Sequence, residues 1–207
     1  MFKAVGLECV KGYDSLFRGV GFKLSPGEIM QVRGTNGSGK TSLLRILTGL
    51  SQPEEGEVFW EGVSIEEDPA GYNENLVYIG HLNGLKADLS ALENLELLRK
   101  YLIRSNSTST HEALAAVGLE GYEHILAHQL SAGQKRRVAL ARLYLNSAPL
   151  WILDEPTTAI DVDGVHAFEQ LVERHALGGG MVILTAHQPL QFGQAQTRSL
   201  SLTPEQP

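Results

Sequence analysis

Cysteine is almost absent: Cys9 is the single one in 207 residues. That excludes an internal disulfide framework and any Cys-rich metal site. Nowhere is there a run of about 18 apolar residues, the length that spans a bilayer. Residues 1–17 lack the apolar block of a secretory signal. The expected compartment is the cytoplasm, and work at a membrane requires a partner to hold the chain there. Cations are in deficit, with 17 Lys+Arg against 24 Asp+Glu and a formal net charge of −7. Wide contact with nucleic acid or anionic lipid needs the opposite balance, so no nucleic-acid partner is expected. Apolar residues at 43% and charged residues at 20% describe a globular chain with core enough for one domain and room for a subdomain.

What is present alternates between strand and helix patterns, without internal repeats. Residues 28–32 read as a short strand running into a glycine-rich loop. Residues 40–50 have helical spacing, with Leu43, Leu44 and Leu47 apolar and Gly49 near the end. Leu76–Ile79, Leu150–Leu153 and 181–184 are short apolar runs, the pattern of strands buried on both faces. Strands separated by helices predict a mostly parallel α/β sheet. The middle differs. Ser90 and Glu93 form a capping-box pattern that opens a helix through Leu95, Leu98 and Leu102. A polar run at 105–110 separates it from a second helix at about 111–117, stopped by Gly118. No strand pattern interrupts 86–128, which reads as a helical subdomain inserted into the α/β core.

Two segments carry chemistry. Gly34, Thr35, Asn36, Gly37, Ser38, Gly39, Lys40 and Thr41 match G-x-x-x-x-G-K-[ST] between a predicted strand and a predicted helix. Glycines let backbone N–H groups turn inward as an anion nest, and the helix that follows aims its positive end at the same point. Lys40 adds a full charge for the β- and γ-phosphates of ATP, and the Thr41 hydroxyl suits Mg²⁺. Ser42 reads as helix packing or a minor phosphate contact. The run at 150–155 is an apolar strand ending in Asp154 and Glu155. A buried parallel strand delivers such residues to the sheet edge where ligands bind. Adjacent carboxylates repel unless a cation or different roles separate them. Asp154 suits the Mg²⁺ shell, and Glu155 suits the general base for an attacking water.

Ser131, Ala132, Gly133 and Gln134 form a further capping-box pattern, opening a helix through Val138, Ala141 and Leu145. It reads either as an ordinary N-cap or as a second anion site. The cluster Lys135, Arg136 and Arg137 is most simply a solvated helix face, with contact to a partner's nucleotide through Arg136 or Arg137 as the alternative.

With these residues in hand, the chain resembles the ATP-binding subunits of ABC transporters. Residues 34–41 resemble Walker A, and 150–155 resemble Walker B with its glutamate. Residues 130–134 resemble the signature, with Ala132 where glycine is usual. Ala159, Ile160 and Asp161 resemble the D-loop, and His187 the switch histidine. Five motifs in the family's order cover essentially the whole chain. The resemblance implies a P-loop NTPase fold of the ABC nucleotide-binding type as one domain over 1–207. Its α/β core would span 1–85 and 145–207, and its helical subdomain with the signature 86–144. It also implies two copies closing head to tail around two ATP molecules, with Ser131, Gly133 and Gln134 of one meeting the ATP held by the other. His187 would bind the γ-phosphate and orient water beside Glu155. Tyr13 is the nearest candidate to stack on adenine, with a surface-strand tyrosine as the alternative.

One departure stands out. His81 occupies the position after Leu76–Ile79 where the family usually has glutamine. A histidine lacks an amide's paired donor and acceptor, which argues against Mg²⁺ contact and leaves contact with a membrane partner. His81, the run 89–95, the run 158–165 and His187 to Leu190 also resemble one branch, the ATPase subunits of bacterial cytochrome c maturation haem exporters. That implies a peripheral protein on the cytoplasmic face of the inner membrane, with a cognate permease and a haem-handling membrane protein. The alternatives are the ATPase subunit of another small-molecule exporter, and a ribosome- or DNA-binding ABC module. The second usually needs two cassettes or a long coiled-coil insertion. The remaining histidines, His111, His124, His128, His166 and His175, read as surface or packing residues.

Overall fold

Phe2, Ala4 and Leu7 point inward from the first strand, and Gly6 interrupts its alternation. In the computed structural model, residues 1–12, 14–186 and 188–202 are described. β1 (Phe2–Lys11) and β2 (Asp14–Leu24) pair antiparallel with register shifts around Leu7 and Cys9. β3 (Glu28–Arg33) enters the loop at 34–39, and α1 (Lys40–Leu47) leaves it. The helix stops short of the predicted residue 50, because Thr48 caps it and Gly49 turns into the left-handed region at φ 72.

β4 (Glu55–Trp60) and β5 (Val63–Ser64) complete a four-stranded antiparallel sheet of order β2-β1-β4-β5. The sequence reading expected only a mostly parallel sheet. The extra sheet escaped it because bulges break the two-residue period on β1.

α2 (Pro69–Glu74) precedes β6 (Leu76–Ile79). Three helices follow: α3 (Ala91–Arg99), α4 (Thr110–Ala116) and α5 (Ala132–Leu145). α3, α4 and α5 each begin with a complete capping box, at Ser90, Ser109 and Ser131. Each such box satisfies two backbone donors that the helix start leaves open. β7 (Leu150–Leu153), α6 (Val162–Leu177), β8 (Met181–Thr185) and β9 (Gln196–Ser201) finish the chain. The second sheet has order β6-β7-β8-β3-β9 and all its pairs are parallel. Every residue of β7 and β8 is buried, as parallel strands covered on both faces require.

Three apolar clusters hold these layers. One fills the space between the two sheets and α1, with Phe2, Leu24, Leu44 and Ile152 fully or nearly fully buried. A second packs the far face of the parallel sheet, through Trp151, Val182 and Leu184, against α5 and α6. A third joins α3, α4 and α5 through Leu95, Leu114, Val138 and Leu145. α5 therefore serves two clusters at once, with Leu140 and Leu143 in one and Val138 and Leu145 in the other.

Candidate functional site

The parallel register aligns the carboxyl ends of four strands. Ile79 pairs with Leu153, Leu153 with Leu184, and Val32 with Thr185. The loops that follow carry His81, Asp154 with Glu155, and the glycine-rich loop. Open α/β sheets bind ligands at this edge.

Gly39 is the N-cap of α1 at φ 89, and no side chain caps the helix. The first-turn N–H groups are thus left for a ligand. Only glycine fits Gly39: a Cβ would meet Leu16 and Phe17 at 3.0 Å. Lys40 is buried, and its Nζ donates to Gly34 O at 2.9 Å and Thr35 O at 3.0 Å. The ammonium thus spans the mouth of the loop. Ser38 Oγ is buried without a partner among the described residues. Beside the loop lies a cavity of about 400 Å³ that reaches from Lys11 and Leu16 to Thr41, Ser42 and Glu155.

Thr41 Oγ1 donates to Asp154 Oδ2 at 2.8 Å. Asp154 is 1% exposed, and its Oδ1 accepts from Thr185 Oγ1 at 2.7 Å. The same Thr185 oxygen accepts from Glu155 N at 2.8 Å. Glu155 sits at φ 47, a conformation that costs a non-glycine residue energy and points to a functional position. Its side chain is 17% exposed, and His81 Nδ1 lies 3.9 Å from its Oε2. The two acids are therefore separated as their chemistry demands: Asp154 bonded and enclosed, Glu155 turned toward the cavity. Beside them, burial pushes the Tyr78 phenol above its ordinary range, and the Asp154 carboxylate adds to the shift.

Among the described residues no cluster of three or more His, Cys, Asp or Glu could hold a metal. One hydroxyl and one carboxylate, 2.8 Å apart at Thr41 and Asp154, nonetheless suit Mg²⁺. That ion takes few protein ligands and fills its shell with phosphate oxygens and water.

Arg136 departs from the sequence expectation. It is not a solvated residue but is 4% exposed, bonded to main-chain oxygens of Gly80, Asp154, Glu155 and Pro156. α5 has core on two sides, and fixed carbonyls supply the acceptors that let a guanidinium be buried. Its neighbour Arg137 pairs with Asp161 at 2.6 Å. Thr185 was also missed; its only trace is a threonine closing an apolar strand.

Ser131 and Gln134 close their capping box, with Ser131 N donating to Gln134 Oε1 at 2.8 Å and Gln134 N to Ser131 Oγ at 3.2 Å. Gly133 approaches the loop after β7 so closely that a Cβ would lie 2.5 Å from Ala159 O. None of Ser131, Gly133 and Gln134 lines the cavity beside the phosphate loop. Tyr13, His187 and the tail from 203 lie outside the described residues.

Residues 17–158 match the family model described as ABC transporter. The chain is 50% identical over 203 residues to the cytochrome c biogenesis ATP-binding export protein CcmA of Escherichia coli strain K12, covering 98% of this chain and 97% of that protein. Its namesake in Methylococcus capsulatus is also 50% identical over 203 residues, with 97% of each covered. Among solved structures, a dimeric ATP-binding cassette in a post-hydrolysis state bound to ADP and Pi superposes with a TM-score of 0.84 and 26% identity. It covers 100% of this chain and 97% of that one.

Proposed function

Since the chain belongs to the ABC transporter family, we propose that it is the ATP-hydrolysing subunit of a cytochrome c biogenesis exporter. The observation that carries the chemistry is the junction of phosphate loop and strand end, where Thr41 meets Asp154 and Glu155 faces the same cavity. The 50% identity over 98% of the chain to the cytochrome c biogenesis proteins carries the choice of branch.

In this reading the nest of N–H groups at 34–41 receives the phosphates of ATP. Lys40 exchanges its two loop carbonyls for β- and γ-phosphate oxygens, and Ser42 adds a minor contact. Thr41 and Asp154 hold Mg²⁺, which supplies charge neutralisation on the transferred group. Glu155 accepts a proton from water as the water oxygen bonds to the γ-phosphorus. The bond to the departing ADP oxygen breaks in the same displacement, and the proton leaves with phosphate or to solvent. His187 orients that water, and Tyr13 stacks on adenine.

Because Ser131, Gly133 and Gln134 lie away from this cavity, their phosphate contact is to the ATP of a second copy. Two chains related by a two-fold axis give each site both halves. The dimeric relative bound to ADP and Pi supports this. The segment 86–144, with its own apolar cluster, acts as the lever that passes closure to a permease. No helix among the described residues is long and apolar enough to cross a membrane. In this reading a permease and a haem-handling membrane protein hold the subunit at the cytoplasmic face of the inner membrane.

The test is affinity purification of the Glu155→Gln variant from detergent-solubilised native membranes, with its co-purifying proteins identified and haem absorbance recorded. A small permease, a haem-handling membrane protein and a haem signal support the assignment. A different permease without haem would leave the ATPase mechanism and remove the branch.

A further inference from the structure

Arg136 lies just past the first turn of α5, the helix that opens with the Ser131 capping box. Its guanidinium is directed at two loops at once. Nε donates to Pro156 O at 3.0 Å, and Nη2 donates to Asp154 O at 2.6 Å and Glu155 O at 2.9 Å. Three consecutive carbonyls therefore converge on one cation. The turn that makes them converge is the one that puts Glu155 at φ 47. Nη1 donates to Gly80 O at 2.8 Å and to Asn83 Oδ1 at 3.3 Å. Those two residues flank His81, whose ring lies beside the Glu155 carboxylate.

Burying a guanidinium is costly, and an apolar side chain over an ordinary turn is the cheaper design. Burial pulls this group below its ordinary pKa, with Asp154 and Glu155 opposing the shift. The cost is sensible where two loops must keep one fixed relation. The planar fork of arginine can hold several carbonyls in set directions, which a lysine ammonium cannot reproduce.

We propose that Arg136 is a positioning residue for hydrolysis, holding the Glu155 backbone in its left-handed turn and locking the 80–83 loop against it. The helix that presents Ser131 to the partner's ATP is thereby tied to the base that acts on the chain's own ATP. Displacement of α5 as the signature engages or leaves the opposite site moves Glu155 with it. This inference rests on the reading of Glu155 as the general base.

The experiment is steady-state ATP hydrolysis by the full chain in its membrane complex, for Arg136→Gln, Arg136→Lys, Glu155→Gln and the double variant Arg136→Gln/Glu155→Gln. Arg136→Gln is expected to lower kcat about ten-fold or more, and Arg136→Lys about three-fold or more, with the KM for ATP within about two-fold. In the Glu155→Gln background, Arg136→Gln is expected to change the residual rate by less than about two-fold, because a residue acting through another has nothing left to act on. Arg136→Lys keeps the charge and carries the test if the glutamine variant does not assemble. A kcat within about two-fold of the parent for both Arg136 variants overturns the proposal. So does a loss that multiplies fully with Glu155→Gln, or a KM that rises in step with the fall in kcat. If Glu155→Gln itself turns over normally, the base reading fails. If Glu155→Gln is inactive and the Arg136 variants are normal, this inference alone fails.

Discussion

Thr41 Oγ1 donates to Asp154 Oδ2 at 2.8 Å, joining the phosphate loop to a strand end 113 positions away. An Asp154→Asn substitution keeps the size and one acceptor but removes the charge that a divalent ion requires. ATP affinity in the presence of Mg²⁺ is expected to fall about ten-fold or more, while affinity in chelator changes by less than about three-fold. Titration with a fluorescent ATP analogue, with and without Mg²⁺, measures both.

Thr185 lies under both acids, donating to Asp154 Oδ1 and accepting from Glu155 N. Thr185→Val preserves the shape and removes both bonds in a fully buried place. The stability cost is expected at about 1–3 kcal/mol, the penalty for leaving a buried donor and acceptor unpaired. Urea unfolding measures it. The turnover number is expected to drop as well, because the Glu155 main chain loses an anchor.

Gly133 is where the signature segment touches the loop after β7, and a Cβ there would lie 2.5 Å from Ala159 O. Gly133→Ala is expected to leave ATP affinity of the isolated chain within about two-fold and to lower hydrolysis about ten-fold or more. That split between binding and turnover is what a residue serving the opposite ATP site produces. An equal loss of ATP affinity in the isolated chain would place Gly133 in the chain's own site instead.

His175 stacks on Trp151 with ring centroids 3.7 Å apart and planes 6° from parallel. Burial pushes its pKa down to about 4, partly opposed by a hydrogen bond to the Pro149 carbonyl. The folded state thus prefers the neutral ring, and the unfolded chain, with its ordinary value of 6.5, binds the proton first. Stability is full above pH 6.5 and declines as pH falls toward 4. The loss is on the order of 2–3 kcal/mol across that window. The capping carboxylates Glu93 and Glu112, which backbone bonds hold below their ordinary 4.5, contribute only at the acid end. His175→Gln is expected to flatten the dependence between pH 5 and 6.5, read by chemical denaturation.

The strands Leu76–Ile79 and Leu150–Leu153 were legible to the residue because uninterrupted apolar runs between turn residues have few other uses in a globular chain. The capping boxes at Ser90 and Ser131 were legible because their physics is local. The antiparallel sheet was not, since bulges on β1 scramble the period that marks a strand. β9 was missed too; it is mostly exposed at the sheet edge and carries no apolar pattern. In the site, the glycine-rich motif at 34–41 singles out Lys40 and Thr41, and an apolar strand ending in two acids singles out Asp154 and Glu155. Arg136 and Thr185 could not: their roles depend on carbonyls and side chains brought near by folding, and a basic run on a helix ordinarily faces water. His81 stands out in the sequence where the family usually has glutamine, but its nearness to Glu155 appears only in three dimensions.

The most direct test of the central claim is the mass in solution of Glu155→Gln with saturating ATP and Mg²⁺, by light scattering after size exclusion. The expected result is a two-chain species in ATP that reverts to one chain in ADP, with hydrolysis reduced about a hundred-fold or more. A single-chain mass in ATP together with hydrolysis at the unsubstituted rate would contradict both the role of Glu155 and the shared sites.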